Sequence, residues 1–224
     1  MSNNFQDLAI VIPNYNEETT LSNLVSKLIK KYKNIYIIDD FSNDKSIESI
    51  KNFPVEVLRN TERMGYEQTL NRGFQHIKEK NYKYMITIDA DGQHNIDDIE
   101  LVYSKLRNTD CALVIAQRDK MQRFSENIFS LITKKICNVD DPLSGFKGLN
   151  NHKLTNDNEI MSPFSKSGTS ILLHCLIKKL KVEKINIKTN KRFGKSRYGT
   201  IFSSNFKILI SILPFIRKYK KYET

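Results

Sequence analysis

The sequence predicts an α/β protein with a mainly parallel sheet that carries helices on both faces, followed by a C-terminal amphipathic helix. Two observations lead to this class. Short apolar runs alternate with segments of helical periodicity along the first half of the chain, which is the pattern of repeated strand–helix–strand units. The chain also has 224 residues, of which 39% are hydrophobic, so it can bury a core and is too apolar to be disordered. We expect right-handed connections between the parallel strands.

The first half contains five predicted strands separated by four predicted helices. The first strand is a continuous apolar run, which is typical of a strand buried on both faces. Helical spacing of apolar residues first appears after Thr20, at Leu21, Leu24 and Leu28. Asn95 is the predicted N-cap of the fourth helix. The strands are 8–12, 35–38, 55–58, 84–88 and 112–116, and the helices are 21–29, 44–51, 64–79 and 96–107.

The second half is less regular. The polar stretch 150–168 fits no element, and the chain divides into a main domain, 1–199, and a basic C-terminal segment, 200–224. The remaining predictions are helices over 123–137 and 169–181, a strand over 182–188, a turn-rich loop over 141–148 and a basic, glycine-containing loop over 189–199.

The C-terminal segment allows two interpretations. Its apolar run, 208–216, contains Ser211 and Pro214 and is shorter than the roughly 20 residues that cross a bilayer. Four basic residues follow it: Arg217, Lys218, Lys220 and Lys221. This pattern fits a helix that lies on a membrane surface, and it fits an amphipathic helix packed on the sheet equally well.

Positive charge is concentrated in the second half. The net charge is +11, and residues 113–224 hold 22 basic and 8 acidic residues, or +14, so residues 1–112 carry −3. This asymmetry predicts an anionic partner, such as lipid headgroups, phosphates or nucleic acid, although a solvated basic surface would look similar. The three cysteines, Cys111, Cys137 and Cys175, form no CxxC pair, which argues against a zinc cluster and favours a reducing compartment.

Acidic and polar clusters follow three of the predicted strands. They begin at Pro13, at Asp39 and at Asp89. Ligands of parallel sheets bind beyond the carboxyl ends of the strands, so we expect the three clusters to lie at the ligand-binding edge. No glycine-rich phosphate loop of the GxGxxG or GxxxxGK[ST] type is present, and nucleotide recognition would depend on acidic and aromatic loops.

The third cluster predicts a divalent metal site. Asp89, Asp91 and Gln93 are spaced two apart, so in an extended segment their side chains project to the same side. Such hard oxygen ligands suit Mg²⁺ or Mn²⁺. The alternative is an Asx turn ahead of a helix capped by Asn95. His94 is either a further ligand or a loop histidine beside the site.

Five motifs in this order resemble a known family. They are Ile12-Pro13-Asn14-Tyr15-Asn16-Glu17-Glu18, Asp39-Asp40-Phe41-Ser42-Asn43-Asp44, Asp89-Ala90-Asp91-Gly92-Gln93-His94, Asp141-Pro142-Leu143-Ser144-Gly145-Phe146 and Arg192-Phe193-Gly194-Lys195-Ser196-Arg197. Together, over residues 7–200, they resemble the inverting family 2 glycosyltransferases of GT-A fold. Within that family they are most similar to the dolichyl- and polyprenyl-phosphate sugar synthases, typified by dolichol-phosphate mannose synthase.

The resemblance implies a role for each matching residue. Asn71 and Gly73 would belong to the stretch that closes over the nucleotide, and Asp91 and Asp141 are counted with the catalytic residues. The nucleotide would be lined by Pro13, Tyr15, Glu17, Asp39 and Asp40, the metal held by Asp89, Asp91 and Gln93, the acceptor phosphate met by Arg118 and Arg123, and the donor phosphates clamped by Arg192, Lys195, Ser196 and Arg197.

The chain also departs from the family pattern. The stretch between the two arginines is cut to 119–122, and Ser170 stands where a carboxylate is usual. Phe193 replaces a frequent tyrosine, while Asn14 and Phe41 replace commoner small residues. The departures at 119–122 and at Ser170 fall on the acceptor side.

The implied reaction is transfer of a hexose from GDP-mannose or a UDP-hexose to a polyprenyl phosphate, with inversion. A phosphate acceptor needs no general base, because its second pKa of roughly 6 leaves it largely dianionic at neutral pH. The chain would then lie in the cytoplasm, bound peripherally to the cytoplasmic face of the membrane directly or through a membrane partner.

Two other functions fit parts of the sequence. A family 2 transferase acting on a sugar hydroxyl in polysaccharide synthesis would need a base, with Asp141 as the candidate; the alternative role of Asp141 is to cap or brace the Ser144–Phe146 turn. A nucleic-acid binder would use the lysines, arginines and aromatics of 191–222. The acidic clusters argue against the second, because carboxylates repel a nucleic-acid backbone, and no nucleic-acid partner is expected.

Overall fold

The computed structural model describes residues 5–121, 123–154, 168–190 and 201–223. Within these residues there are seven strands and six α-helices. The strands are β1 (Leu8–Asn14), β2 (Ile35–Asp39), β3 (Glu56–Arg59), β4 (Tyr84–Thr87), β5 (Leu113–Arg118), β6 (Lys147–Asn150) and β7 (Val182–Ile187). The helices are α1 (Leu21–Leu28), α2 (Tyr66–Glu79), α3 (Asp98–Thr109), α4 (Phe124–Cys137), α5 (Ser170–Ile177) and α6 (Ile201–Glu223).

The described strands form one mixed, mostly parallel sheet in the order β3-β2-β1-β4-β6-β5-β7. Four neighbouring pairs are parallel, and β6 is antiparallel to both β4 and β5. The α/β class with a mainly parallel sheet is therefore confirmed, as is the C-terminal helix.

Helices cover both faces of the sheet because the strand side chains alternate. In β1, Ile10 and Ile12 enter the cluster formed with α1 and α3, whereas Ala9 and Val11 enter the cluster formed with α2, α4, α5 and α6. Both sets are almost fully buried. Because β1 is buried on both faces, its sequence is an almost continuous apolar run.

Strand β6 was missed in the sequence, where 141–148 is predicted as a loop. Only four residues long, it contains Gly148, which weakens a strand signal. A Cβ at Gly148 would overlap Val102 Cγ1 and lie 2.8 Å from Leu106 Cδ1. The glycine therefore allows α3 to approach β6 closely.

Two local predictions were wrong. The predicted helix 44–51 is only a 3₁₀ turn, Glu48–Ile50, because the Asp44 carboxylate accepts the N–H of Ser46 and holds the preceding residues in a loop. Asn95 is not the N-cap of α3, which is Asp97. Asn95 Oδ1 instead accepts the Asp97 N–H at 3.2 Å in an Asx turn, which delays the helix.

The C-terminal helix α6 packs against α4 and α5. Ile208, Ile212 and Phe215 are buried there, and the Phe215 ring meets the Phe129 ring edge-on at 5.3 Å. Among the helices of the described ranges, none combines the length and apolarity that spanning a membrane requires. The predicted boundary between 199 and 200 lies outside the described residues.

Changing Gly148 to alanine should destabilise the fold by about 1–3 kcal/mol, because the new methyl group overpacks the contact between β6 and α3. Urea denaturation followed by circular dichroism would measure this. Ser104→Ala, on the exposed side of α3, is the matched control and should change the free energy of unfolding by less than about 0.5 kcal/mol. Equal stability of the two variants would contradict the close packing.

Candidate active site

The carboxyl ends of β1, β2 and β4 meet at one edge of the sheet. Asn14 pairs with Asp39 across the β1–β2 ladder, and the Ile88 N–H bonds to the Val11 carbonyl at 3.1 Å. The three acidic clusters thus start from neighbouring strands, as predicted.

Asp39 is fully buried and ties the first two clusters together. Its Oδ1 accepts from Asn14 Nδ2 at 2.9 Å and from Ser42 Oγ at 2.5 Å, and Arg59 Nε lies 3.3 Å from Oδ2. Two residues after Asp39, Phe41 has a left-handed backbone with φ 63°. Such a conformation costs a bulky residue roughly 1–3 kcal/mol, so the Asp39 network must hold the loop in place.

Asp40 holds the start of α2. Its carboxylate accepts the N–H groups of Met64 and Gly65, at 2.8 and 2.9 Å, and Asn60 Nδ2 at 3.0 Å. Gly65 has φ 89°, a conformation that favours glycine. Since Asp39 and Asp40 both bond to protein groups, their direct contact with a nucleotide stays a prediction.

The other predicted nucleotide residues lie beside these two. Pro13 is the penultimate residue of β1, and the Tyr15 ring is covered by the Arg63 guanidinium at 4.1 Å. Glu17 is buried, and its Oε2 accepts from Thr20 Oγ1 at 3.4 Å. The structure therefore groups Pro13, Tyr15 and Glu17 at the carboxyl end of β1 and in the loop that follows it.

Two further predicted residues, Asn71 and Gly73, lie on α2. Asn71 is half-buried. A Cβ at Gly73 would stand 2.9 Å from Ile38 Cγ1 and 3.0 Å from Val11 Cγ1, so this glycine lets α2 pack closely on the sheet. That packing role was missed in the sequence.

Asp89 is held from three sides. Tyr66 Oη donates to Oδ1 at 3.2 Å, and His94 Nε2 lies 3.7 Å from Oδ2. A Cβ at Gly145 would overlap the Asp89 carboxylate, so the turn before β6 presses directly on it. Burial acts to raise the pKa of Asp89, but the interaction with His94 and the charges of Lys147 and Arg118 outweigh burial and lower it.

Asp91 and Gln93 are both nearly buried beside Asp89. Asp91 Oδ1 accepts the Gln93 N–H at 3.1 Å, which is the Asx-turn geometry considered above. Burial, together with the charges of Asp89, Glu67 and Asp91, raises the pKa of Tyr66 well above its ordinary value. The Tyr66 phenol therefore stays protonated and serves as a hydrogen-bond donor to Asp89.

Arg118, at the end of β5, forms a bidentate ion pair with the buried Asp141. Arg118 Nε lies 2.7 Å from Asp141 Oδ2 and Nη2 lies 2.9 Å from Oδ1, while the Arg118 backbone N–H also donates to Oδ2. Glu126 Oε2 is 3.4 Å from Arg118 Nη2, and Glu126 Oε1 is 2.7 Å from Arg123 Nη1. Burial acts to lower the pKa of Arg118, but the bonds and charges of the two carboxylates raise it, so the guanidinium stays charged.

Lys147 and Glu67 also face this edge, and neither was identified in the sequence. Lys147 is buried with its ammonium donating to the Ser144 carbonyl, and burial lowers its pKa to about 8 against the opposing charges of Asp141, Asp89 and Glu67. Glu67 accepts the N–H groups of Gly168 and Ser170 at the start of α5. Burial raises the pKa of Glu67. The available signal for Lys147 was a lysine between Phe146 and Gly148-Leu149, whereas Glu67, between Tyr66 and Gln68, carried no such signal.

Arg192, Lys195, Ser196 and Arg197 lie outside the described residues. The chain approaches them beside the acidic edge, because the Asn190 N–H donates to the Gln93 carbonyl at 2.8 Å. Their role on the donor phosphates stays a prediction.

Comparison with known proteins identifies the family of this chain. The model of the family described as glycosyl transferase family 2 matches residues 9–168. The chain belongs to this family. This membership confirms the glycosyltransferase class inferred from the five motifs.

Two relatives at 28% identity have names that refer to dolichyl or dolichol phosphate. The transferase is 28% identical to the UDP-N-acetylglucosamine–dolichyl-phosphate N-acetylglucosaminyltransferase of Methanococcus voltae, over 73% of this chain and 71% of that one. It is 28% identical to the dolichol-phosphate mannosyltransferase of Pyrococcus furiosus, over 76% of this chain. The match spans 52% of the P. furiosus enzyme, about half its length.

Solved structures confirm the GT-A fold. Glucosyl-3-phosphoglycerate synthase of Mycobacterium tuberculosis, in complex with Mn²⁺, UDP and glucosyl-3-phosphoglycerate, superposes with a TM-score of 0.74. The superposition covers 93% of the transferase and 79% of that chain at 15% identity, so it shows the fold alone.

Asp141→Asn should destabilise the transferase by about 3 kcal/mol, because the buried Arg118 guanidinium loses its bidentate counter-charge and keeps only the longer contact to Glu126. Thermal and urea unfolding would measure this. Asp110→Asn, which removes an exposed carboxylate paired with Lys153, is the control and should leave the unfolding midpoint almost unchanged. Equal unfolding midpoints for the two variants would show that the ion pair between Arg118 and Asp141 does not stabilise the fold.

Proposed function

We propose that the transferase moves a hexose from a nucleotide-diphosphate sugar to a polyprenyl phosphate, with inversion at the anomeric carbon and with a divalent metal. The observation that carries this proposal is the state of Asp141. It is fully buried, and Arg118 engages both of its oxygens. A general base needs an accessible lone pair, so this arrangement disfavours the acceptor hydroxyl that would require one.

A phosphate acceptor fits the same surroundings. The acceptor oxygen arrives largely ionised, because the second pKa of a phosphate monoester is roughly 6. The requirement is then to position an anion, which arginine does well through several parallel N–H donors. Arg123, whose side chain is 14% exposed next to Arg118, is the residue we assign to that contact. The lipid-phosphate names of the relatives support this choice.

The acidic edge fits a hard divalent cation. Asp89, Asp91 and Gln93 offer carboxylate and amide oxygens, and Tyr66 donates a hydrogen bond to Asp89. Among the described residues, no three His, Cys, Asp or Glu side chains form a metal cluster. Mg²⁺ commonly takes only one or two carboxylates and completes its ligands with water and substrate phosphates, so the proposed site does not need such a cluster. When bound, the metal would offset negative charge on the leaving diphosphate.

The protein residues prepare this site before substrate binds. Tyr66, His94 and Gly145 fix the direction of the Asp89 carboxylate, and the bonds of Asp40 fix the loop ahead of α2. Preorganised groups of this kind lower the barrier because they need little rearrangement as charge develops. Arg192, Lys195, Ser196 and Arg197 would add positive charge on the donor side.

We propose a cytoplasmic location, with peripheral attachment to the cytoplasmic face of the membrane. A polyprenyl acceptor is itself held in the bilayer, so the enzyme must work at the membrane surface. The basic residues after position 200 support attachment through the C-terminal helix.

The reaction can be tested with labelled donors. Incubation of the transferase with radiolabelled GDP-mannose or UDP-hexoses, Mn²⁺ and polyprenyl phosphate should place label in a lipid that mild acid cleaves. Label only on a saccharide acceptor would instead support transfer to a sugar hydroxyl and overturn the proposal.

Arg123→Ala should lower turnover with polyprenyl phosphate by about 10–100-fold, because one charge-assisted contact to the acceptor anion is lost, while nucleotide affinity stays near that of the wild type. Arg63→Ala is the contrasting variant, since Arg63 covers the Tyr15 ring on the predicted nucleotide side and should affect nucleotide affinity instead. Steady-state kinetics and calorimetry separate the two. Equal losses of turnover and nucleotide affinity in Arg123→Ala would contradict the assignment.

Tyr66→Phe should weaken Mn²⁺ binding by about tenfold, because the Asp89 carboxylate loses the donor that orients it. Electron paramagnetic resonance titration of Mn²⁺ with UDP or GDP present measures this without turnover. Tyr82→Phe removes a hydroxyl that bonds to Tyr36 away from the site and serves as the control. Unchanged Mn²⁺ affinity in Tyr66→Phe would show that Tyr66 does not position the metal carboxylate.

A further inference from the structure

The helix α6 is apolar on two sides. Its inner side carries Ile208 and Phe215 into the core. Its outer side exposes a second stripe at helical spacing: Phe202, Phe206, Leu209 and Leu213. Phe202 is 85% exposed, which is far from the usual placement of a phenylalanine. A helix packed only on its own protein would carry polar residues on that outer side.

The neighbouring helix α4 exposes apolar residues in the same way. Phe124 is 72% exposed and Leu131 is 71% exposed, and their spacing of seven places them on one side of the helix. The N-terminal parts of the two helices are joined, because Asn205 Oδ1 accepts from both the N–H and the hydroxyl of Ser125, at 3.0 and 2.7 Å. The exposed residues of α4 and α6 therefore belong to one surface, which we call the α4–α6 face.

The far ends of the same stripes are basic. The exposed positions of α4 continue into Lys134 and Lys135, and those of α6 continue from Arg217 to Lys220 and Lys221. The acidic side chain of α4, Glu126, is turned inward and buried. Among the described side chains of the two helices, the exposed positions hold no carboxylate. Both stripes thus change from apolar to positively charged in the same chain direction.

We propose that the α4–α6 face rests on an anionic membrane surface. Its apolar turns would lie among the acyl chains, and its basic ends would contact the lipid phosphates. This order of apolar and basic residues, with acidic residues excluded, complements a bilayer interface. Protein-binding surfaces, by contrast, are generally depleted in lysine.

The proposal rests on the proposed function and makes it more specific. Arg123, assigned above to the acceptor phosphate, directly precedes Phe124 on the α4–α6 face. If Phe124 inserts among the acyl chains, Arg123 lies at the level of the headgroups. The phosphate of a polyprenyl acceptor lies at that same level. The attachment surface and the acceptor site are then continuous.

Vesicle flotation of the whole chain tests the proposal. The protein should bind vesicles of phosphatidylcholine and phosphatidylglycerol in equal parts, and more weakly vesicles of phosphatidylcholine alone. Leu131→Ser combined with Phe206→Ser should reduce partitioning by about tenfold, because one inserted side chain is lost from each helix. Leu131→Ser alone should give part of that loss, which separates a two-helix face from attachment by α6 only.

Leu101→Ser is the matched control, since Leu101 is 56% exposed on α3, on the opposite side of the sheet, and should not affect partitioning. If Leu131→Ser partitioned to vesicles as the wild type does, the proposed contribution of α4 to membrane binding would be wrong. Recovery only with native membranes, or self-association of the free chain through this face in light scattering, would replace the lipid surface with a protein partner. Vesicle binding without any transfer to polyprenyl phosphate would refute the proposed function and leave the α4–α6 face standing.

Discussion

Negative charge buried at the carboxyl edge of the sheet is the constraint on which this structure depends. Asp39, Asp40, Glu67 and Asp141 are all nearly excluded from solvent. Each is stable there because specific donors surround it: side chains and a backbone N–H for Asp39, N–H groups at the start of α2 and α5 for Asp40 and Glu67, and a guanidinium for Asp141. These bonds fix the loops that follow the strands, and so the shape of the site.

The antiparallel strand β6 connects the donor and acceptor sides. The turn before it presses Gly145 against Asp89, and β6 begins with the buried Lys147. The same turn starts from Asp141, the partner of Arg118. Because β6 runs antiparallel to its neighbours, the loop before it contacts both Asp89, the predicted metal ligand, and Arg118, which pairs with Asp141.

The two faces of the sheet differ in what they offer to the outside. One is covered by α1 and α3, and the other by α2, α4, α5 and α6. On the second face the outer sides of α4 and α6 remain apolar where they meet. The acceptor-side Arg123 stands at the start of α4, so the chemistry at the sheet edge and the proposed membrane contact share one helix.

The sequence by itself determined the class of fold, the positions of most helices and strands and the three acidic clusters. Local periodicity and strand-end motifs carry that information, since it depends on residues near one another in the chain. Tertiary structure alone decided β6, whose four residues gain their conformation from β4 and β5, and the burial of Asp141 against Arg118, 23 residues away. It also decided the roles of Tyr66, Glu67 and Lys147, because a polar residue reveals its partners only when distant segments are packed around it.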